Sequence, residues 1–403
     1  MKRTGTADLP LHYGHVPVWL AKRMARLGFA IAESILIEYG KQELLRRLSD
    51  PCWFQSLGAV MGMDWHSSGI TTSVMGALKR SINPHSKQLG IYICGGRGKH
   101  SRQAPGELMA VAEKTGLDGP HLVHCSRLSA KVDNTAIQDG FQLYLHNFIV
   151  SSEGEWVVIQ QGMRDDSGTA RRYHWHSAHL SSFVEQPHSG ICGRHQGIIL
   201  NMTDTAAAPA RDAVMAIAQQ SPEAVIREVR QLTMPAHHDV RAADVDLKRL
   251  GSVLWLAQEQ APANFEALLL LQGLGPRTLQ SLALVSEVIH GAPARFSDPA
   301  RFSFAHGGKD GHPFPVPTQV YDETIHTLQT AVERARLGHS DKQQAIKKLS
   351  EMAQAAEKDF VPNARFEELI EKERNESWQY GGRTVSGKAK PPEKPRNTQL
   401  RLF

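Results

Sequence analysis

Phe141-Gln142-Leu143-Tyr144-Leu145-His146-Asn147-Phe148-Ile149-Val150, then Ser151-Ser152-Glu153-Gly154-Glu155, then Trp156-Val157-Val158-Ile159-Gln160-Gln161-Gly162-Met163, is the stretch whose reading decides the fold. Both outer runs are rich in β-branched and aromatic residues, and the polar segment between them carries a glycine. The pattern predicts two antiparallel strands joined as a hairpin. Period-two alternation places Gln142, Tyr144 and His146 on one face of the first strand. Upstream, Gly90 to Cys94 is another β-prone run, ending in the glycine-rich Gly95-Gly96-Arg97-Gly98-Lys99. Gly106 to about Thr115 reads as a helix, and Gly197 to Leu200 as one more strand.

Outward from this centre the patterning becomes helical. Up to about Ile82, apolar residues recur at three- and four-residue spacing, punctuated by Gly28, Gly40 and Pro51. Residues 239–373 read as helix throughout, apart from a long loop from Gly291 to Pro317. Residues 375–403 are polar and rich in proline and lysine, with too little apolar surface to repay ordering. The expected fold is an α/β or α+β N-terminal domain with a mixed sheet over residues 1–232. An all-α domain follows over 239–373, and a disordered tail over 375–403.

Composition narrows the class. Of 403 residues, 41% are hydrophobic and 22% charged, as in ordinary soluble globular proteins. No apolar run reaches the eighteen or so residues of a membrane span, and the first residues lack the apolar core of a secretory signal. Cys52, Cys94, Cys125 and Cys192 form no CxxC pair, which fits a reducing cytoplasm and argues against a zinc knuckle. The net charge of +5 suits a polyanionic partner without demanding one. The twenty histidines leave room for a metal site.

The sharpest internal motif is Phe265-Glu266-Ala267-Leu268-Leu269-Leu270-Leu271-Gln272-Gly273-Leu274-Gly275-Pro276-Arg277-Thr278, running on to Val285. An apolar helix stops at Gly273, where a helix end often needs positive φ, and a new one starts at Pro276, whose missing amide hydrogen costs nothing there. The turn leaves backbone amides from Leu274 to Thr278 available to a phosphate at a helix N-terminus. Arg277 adds charge, and the Thr278 hydroxyl either bonds a phosphate oxygen or caps the helix. Such contacts hold a duplex by its backbone and read no sequence. The pattern resembles the GhGxxT turn of helix-hairpin-helix DNA-binding proteins, which implies DNA binding through Gly273, Gly275, Arg277 and Thr278; a turn used for packing alone is the competing reading. Base-excision glycosylases of that superfamily carry an aspartate about twenty residues after the turn. Asp298 stands near that distance, but its setting differs, and helix capping is the expected role.

The final residues Gln399-Leu400-Arg401-Leu402-Phe403 resemble the bacterial sliding-clamp-binding peptide. The resemblance implies that Leu402 and Phe403 enter an apolar pocket on the clamp, with Gln399 and Leu400 completing the contact, on a tether that sets the local concentration.

Candidate chemistry lies in the first domain. Asp64-Trp65-His66-Ser67-Ser68-Gly69 groups an acid, an imidazole and hydroxyls, while Lys131, Asp133 and Asp139 precede the hairpin, His146 lies in its first strand, and Glu155 opens the second. Hard oxygen donors suit Mg²⁺ or Mn²⁺, with Asp64, Asp133 and Asp139 as the candidate metal ligands. Such an ion would activate water and stabilise the leaving oxygen of a phosphodiester. The set loosely resembles restriction-type nuclease cores, but Gln160-Gln161 stands where their Glu-x-Lys is expected. Tyr173-His174-Trp175-His176 is a second metal candidate, similar in part to rolling-circle nickases. The Arg97 and Lys99 loop offers a non-specific DNA contact or a plain turn.

Three blocks, Leu9-Pro10-Leu11-His12-Tyr13-Gly14, Asp64 to Gly69 and Phe304 to Pro313, together resemble a domain-of-unknown-function family of bacteria and archaea, over residues 4 to about 370. The resemblance implies that the last block, which includes Lys309, is a built feature lying against DNA or the first domain. The expected function is a cytoplasmic, metal-dependent nuclease of replication or repair. A non-catalytic DNA-binding accessory is the alternative, and a DNA glycosylase a lesser one.

Overall fold

The computed structural model describes residues 9–10, 16–63, 68–164, 168–231, 247–292, 294–300, 318–335, 338–357, 383–384 and 387–388. Asp64, His66, Lys309 and the peptide Gln399, Leu400, Leu402 and Phe403 therefore lie outside the described residues. The chain divides into two compact units, Met1–Ala355 and Ala356–Phe403.

The first unit is built on a six-stranded sheet. Its strands are β1 (Leu9–Pro10), β2 (Ile91–Arg97), β3 (Gln142–Ser151), β4 (Trp156–Arg164), β5 (Thr169–His176) and β6 (His188–Cys192). They run in the order β1-β5-β4-β3-β2, with β6 also pairing with β5. Every described pairing is antiparallel, not mixed as expected. The reason is local: the turns that join β3 to β4 and β4 to β5 are far too short for the crossover a parallel pair requires. No strand forms over Gly197–Leu200, where Leu200 makes only an isolated bridge to Phe296.

Alternation along these strands sends apolar side chains to both faces, and helices cover each. Tyr92, Phe148, Trp156, Val158 and Trp175 face one layer, built by α5 (Ala104–Thr115), α6 (Gly119–Lys131), α7 (Ala208–Ala218), α8 (Pro222–Gln231), α9 (Leu247–Gln260), α10 (Phe265–Leu269) and α11 (Pro276–His290). Ile91, Ile93, Ile149, Val157 and Ile159 face the other, built by α1 (Val18–Ser49), α2 (Pro51–Val60), α3 (Gly69–Ile82), α12 (Thr318–Arg334) and α13 (His339–Glu357). A short helix, α4 (Ser86–Leu89), leads into β2.

Double cover is usual for parallel sheets and less so for antiparallel ones, and it explains the near-continuous apolar runs of β3 and β4. The helices beyond residue 246 do not pack only on one another. Leu254, Leu268 and Leu282 share a core with Phe148 and Trp156, while Leu328 and Leu349 share the opposite core with Ile149 and Ile159.

Two details decide how side chains are placed. Gly40 breaks α1 with φ 85° and ψ 179°, so the long helix is two helices meeting at a kink. A β-bulge at Tyr144 shifts the β3–β4 register between Leu143 and Leu145. The extra residue reverses the alternation. Tyr144 therefore reaches Gln161, whereas His146 reaches Gln160 on the other face, and the expected shared face of Tyr144 and His146 does not exist.

In the second unit the described strands are β7 (Arg383–Thr384) and β8 (Gly387–Lys388), which pair as a short antiparallel ladder within the stretch expected to be disordered. The rest of residues 375–403 lies outside the described residues.

Candidate nucleic-acid interface

The turn between α10 and α11 is built from the side of the sheet. Asn264 caps α10 by accepting the Ala267 amide at 2.8 Å. The chain reverses at Gly273, whose φ of +85° favours glycine, and Leu274 is buried beneath the turn. The helix α11 then starts at Pro276, with no side chain capping its first turn.

The turn's carbonyls are held by side chains from three other segments, of which Lys131 and Gln138 are half-buried and Arg249 is exposed. Lys131 Nζ donates to the Leu274 carbonyl, Gln138 Nε2 to the Pro276 carbonyl at 2.7 Å, and Arg249 Nε to the Gly273 carbonyl at 3.3 Å. Burial, with Arg249 beside it, holds the Lys131 ammonium below its usual pKa. Lys131 is therefore a support of the turn, and the structure gives it no contact with the carboxylates it was grouped with. Arg277 is exposed, while Thr278 is buried, which leaves Arg277 as the surface cation of the motif.

The candidate catalytic residues separate into distinct buried networks. Asp133 is fully buried and accepts from Gln160 Nε2 at 2.6 Å, Trp175 Nε1 at 3.0 Å and His188 Nε2 at 2.5 Å. Gln160 Oε1 in turn lies 2.8 Å from His146 Nδ1, and Ser126 Oγ lies 2.8 Å from His146 Nε2. Because Gln160 gives its amide hydrogen to Asp133, its oxygen faces His146, which must donate from Nδ1 and accept the Ser126 hydroxyl at Nε2. Burial lowers the His146 pKa, keeping the ring neutral, and raises that of Asp133 against the pull of His188.

Asp139 belongs to a second set. It accepts from Arg171 Nη1 at 3.0 Å, Tyr173 Oη at 2.7 Å and the Phe141 amide at 3.0 Å. Burial raises its pKa while Arg171 opposes the rise. The same arginine holds Asp298, which also accepts the Gln196 and Ala300 amides at 2.6 and 2.9 Å. Asp298 thus ties a loop to the sheet, and among the described residues no helix starts at it.

Glu155 is a third case. It stands 2.7 Å from His176 Nε2, just before β4 and about 16 Å along the strand from Gln160 at its middle. His174 and His176 do share a face, as alternation predicts, but they turn toward α1: His174 Nδ1 lies 3.2 Å from the Leu48 carbonyl and His176 Nδ1 3.4 Å from Ser49 Oγ.

Asp133 and Asp139 are therefore each satisfied by protein donors. Among the described residues no group of three or more His, Cys, Asp or Glu side chains could hold a metal ion. All four cysteines are buried and free, with burial pushing the Cys125 and Cys192 thiols up to about 11.

The residues that organise the networks, Arg171, Gln160, Trp175 and His188, were not singled out for that role from the sequence. The alternation of Thr169–His176 would have placed Arg171, Tyr173 and Trp175 on one face. For His188 there was no such signal, since only the pairing of β6 with β5 brings it to Asp133.

Arg97, the last residue of β2, and Lys99, in the 3-10 turn Gly98–Gln103 that follows it, are exposed. The loop is fixed at its root, where Glu107 Oε2 accepts the Gly95 amide at 2.6 Å and Lys79 Nζ donates to the Gly95 carbonyl at 2.7 Å.

Compared with known proteins, residues 5–316 match the family model described as protein of unknown function (DUF763), a span that ends before the 370 expected from sequence blocks. No curated protein and no solved structure matches the chain.

Proposed function

The chain belongs to the DUF763 family, and from the construction of its turn at Gly273–Thr278 we propose that it binds DNA there by the sugar-phosphate backbone. The observation that carries the reading is the construction of the turn. Its carbonyls are occupied by Lys131, Gln138 and the exposed Arg249, its first helical turn has no side-chain cap, and Arg277 stands exposed beside it. A helix N-terminus left open next to a cation suits a phosphate by both hydrogen bonding and dipole. Fluorescence anisotropy with a labelled duplex across a salt series tests this. The protein should bind with a steep salt dependence, and Arg277→Glu should weaken it several-fold and lower the slope by about one. Equal binding by the variant would remove the turn from the interface.

Phosphodiester cleavage with Mg²⁺ or Mn²⁺ is the reaction we propose to accompany that binding, with the non-catalytic accessory as its alternative. Since Asp133 and Asp139 already hold protein donors, Asp64 is the carboxylate of the candidate set on which such an ion would depend. Plasmid incubated with protein and Mn²⁺ should be nicked, and neither EDTA nor Asp64→Ala samples should cut it; intact plasmid in every lane leaves the accessory reading. The terminal Gln399–Phe403 peptide is proposed to dock on a bacterial sliding clamp, the chain then working in replication or repair. Removing residues 399–403 should abolish capture by immobilised clamp and leave duplex binding unchanged.

A further inference from the structure

Two basic stretches far apart in sequence are linked through α6. The first is the end of β2 and the 3-10 turn after it (Gly98–Gln103), where Arg97, Lys99 and Arg102 are exposed and no carboxylate intervenes between Gly95 and Gln103. The next one, Glu107, is engaged by Lys79 at 2.8 Å. The loop is internally fastened, with Ser101 Oγ donating to the Gly98 carbonyl at 2.6 Å and His100 Nδ1 2.9 Å from Gln103 Oε1. The second is the hairpin with exposed Arg277.

The last turns of α6 connect them. Gly96 pairs with His146 across the β2–β3 ladder, and His146 lies 2.8 Å from Ser126 Oγ in α6. One residue on, Arg127 is exposed, and at the end of the same helix Lys131 reaches the Leu274 carbonyl of the hairpin. Summed along this path, with about 1.5 Å of rise per helical residue, about 5 Å between paired strands and about 10 Å across each side-chain contact, Gly96 and Leu274 are no more than about 35 Å apart. One turn of B-form DNA is about 35 Å long, so both fit within a single turn.

We propose that the Arg97–Arg102 loop and Arg127 form a second phosphate-binding element that grips the same DNA duplex as the hairpin, within one helical turn. The inference rests on the hairpin reading above and extends it from a point contact to a footprint. Its chemistry is that of cations on a fixed loop: each phosphate neutralised releases condensed counterions, and none of the contacts selects a base.

The test is a triple variant, Arg97→Ala with Lys99→Ala and Arg102→Ala, in the full chain. These side chains are exposed, so its thermal unfolding should match the parent. Binding to a 12-base-pair duplex should weaken by at least tenfold, and the slope of log K against log salt should fall by about two to three. A 20-base-pair duplex should show the same difference, because the footprint is already complete at the shorter length. Unchanged affinity and slope in the triple variant, with Arg277→Glu still impaired, would overturn this inference and leave the hairpin reading standing. Absence of binding by the parent would overturn both. A difference seen only with the longer duplex would refute the single-turn geometry.

Discussion

Arg171 in β5 grips Asp298, 127 residues later, through both terminal nitrogens, with Nη1 2.9 Å from Oδ1 and Nη2 2.5 Å from Oδ2. Both side chains are buried, and the same guanidinium also serves Asp139. The arginine therefore joins the sheet, the turn before β3 and the loop that follows α11. Removing it leaves two buried carboxylates without their counter-charge. Arg171→Met is expected to cost about 3–5 kcal/mol, read from urea unfolding. A loss below about 1 kcal/mol would show that the loop relaxes and lets water reach both acids.

The pair also sets an acid limit. Although burial alone would raise its pKa, Arg171 and the amides of Gln196 and Ala300 hold Asp298 below the usual carboxylate value. A depressed folded pKa contributes stability that is present above the unfolded value, near 3.9, and is lost as pH falls through the folded one. In Asp298→Asn the part of the acid unfolding below about pH 4 should be reduced, as followed by circular dichroism.

The histidines act earlier. Burial lowers the pKa of both His146 and His174, the latter with Arg172 adding to the effect. The unfolded chain then binds protons that the folded one refuses, so stability declines as pH falls below about 6.5, by up to ~1.4 kcal/mol per unit for each ring. Midpoints of urea unfolding at pH 7.5, 6.0 and 5.0 should fall in that order. A flat series would mean the rings are protonated in the folded state.

For Asp133 the shape of the side chain matters more than its charge. Asp133→Ala strands the donors of Gln160, Trp175 and His188 in the core, and should destabilise by at least 3 kcal/mol. Asp133→Asn keeps an acceptor for Gln160 and Trp175 and should be much milder, while duplex binding persists. An asparagine variant that folds normally but loses metal-dependent cleavage would return Asp133 to the catalytic set.

Among the described residues Gly95 is the least replaceable glycine. Its φ is +86°, and a Cβ there would stand 2.2 Å from the backbone oxygen of His146. Gly95→Ala should fail to yield folded protein, or melt more than 10 °C lower. By contrast Gly273→Ala, where a Cβ would meet only the Val253 side chain at 3.5 Å, should cost about 1 kcal/mol from backbone strain.

Much of this was legible in the residues. The hairpin of β3 and β4, the helices before Ile82, the break at Gly40 and the helix–turn–helix around Gly273 follow from local periodicity and from glycine's freedom, interactions that act within a few residues. The site was less so. Asp133, Asp139 and Glu155 lie close in sequence, and grouping them as one metal set treated proximity along the chain as proximity in space. The structure gives each its own partners, because Gln160, Arg171 and His176 reach them from β4 and β5, positions set by strand register.

By itself the sequence determined the β3–β4 hairpin, the early helices and the breaks at Gly40 and Gly273, since those are short-range steric and hydrophobic matters. It did not determine β1, β5 or β6, nor that no strand forms at Gly197–Leu200. Tertiary structure alone decided that the sheet is antiparallel and covered on both faces. It decided that one bulged residue separates Tyr144 from His146, and that Lys131 and Gln138 reach the turn before Arg277. Those are consequences of strand pairing and helix packing between residues distant in the chain, and no local pattern encodes them.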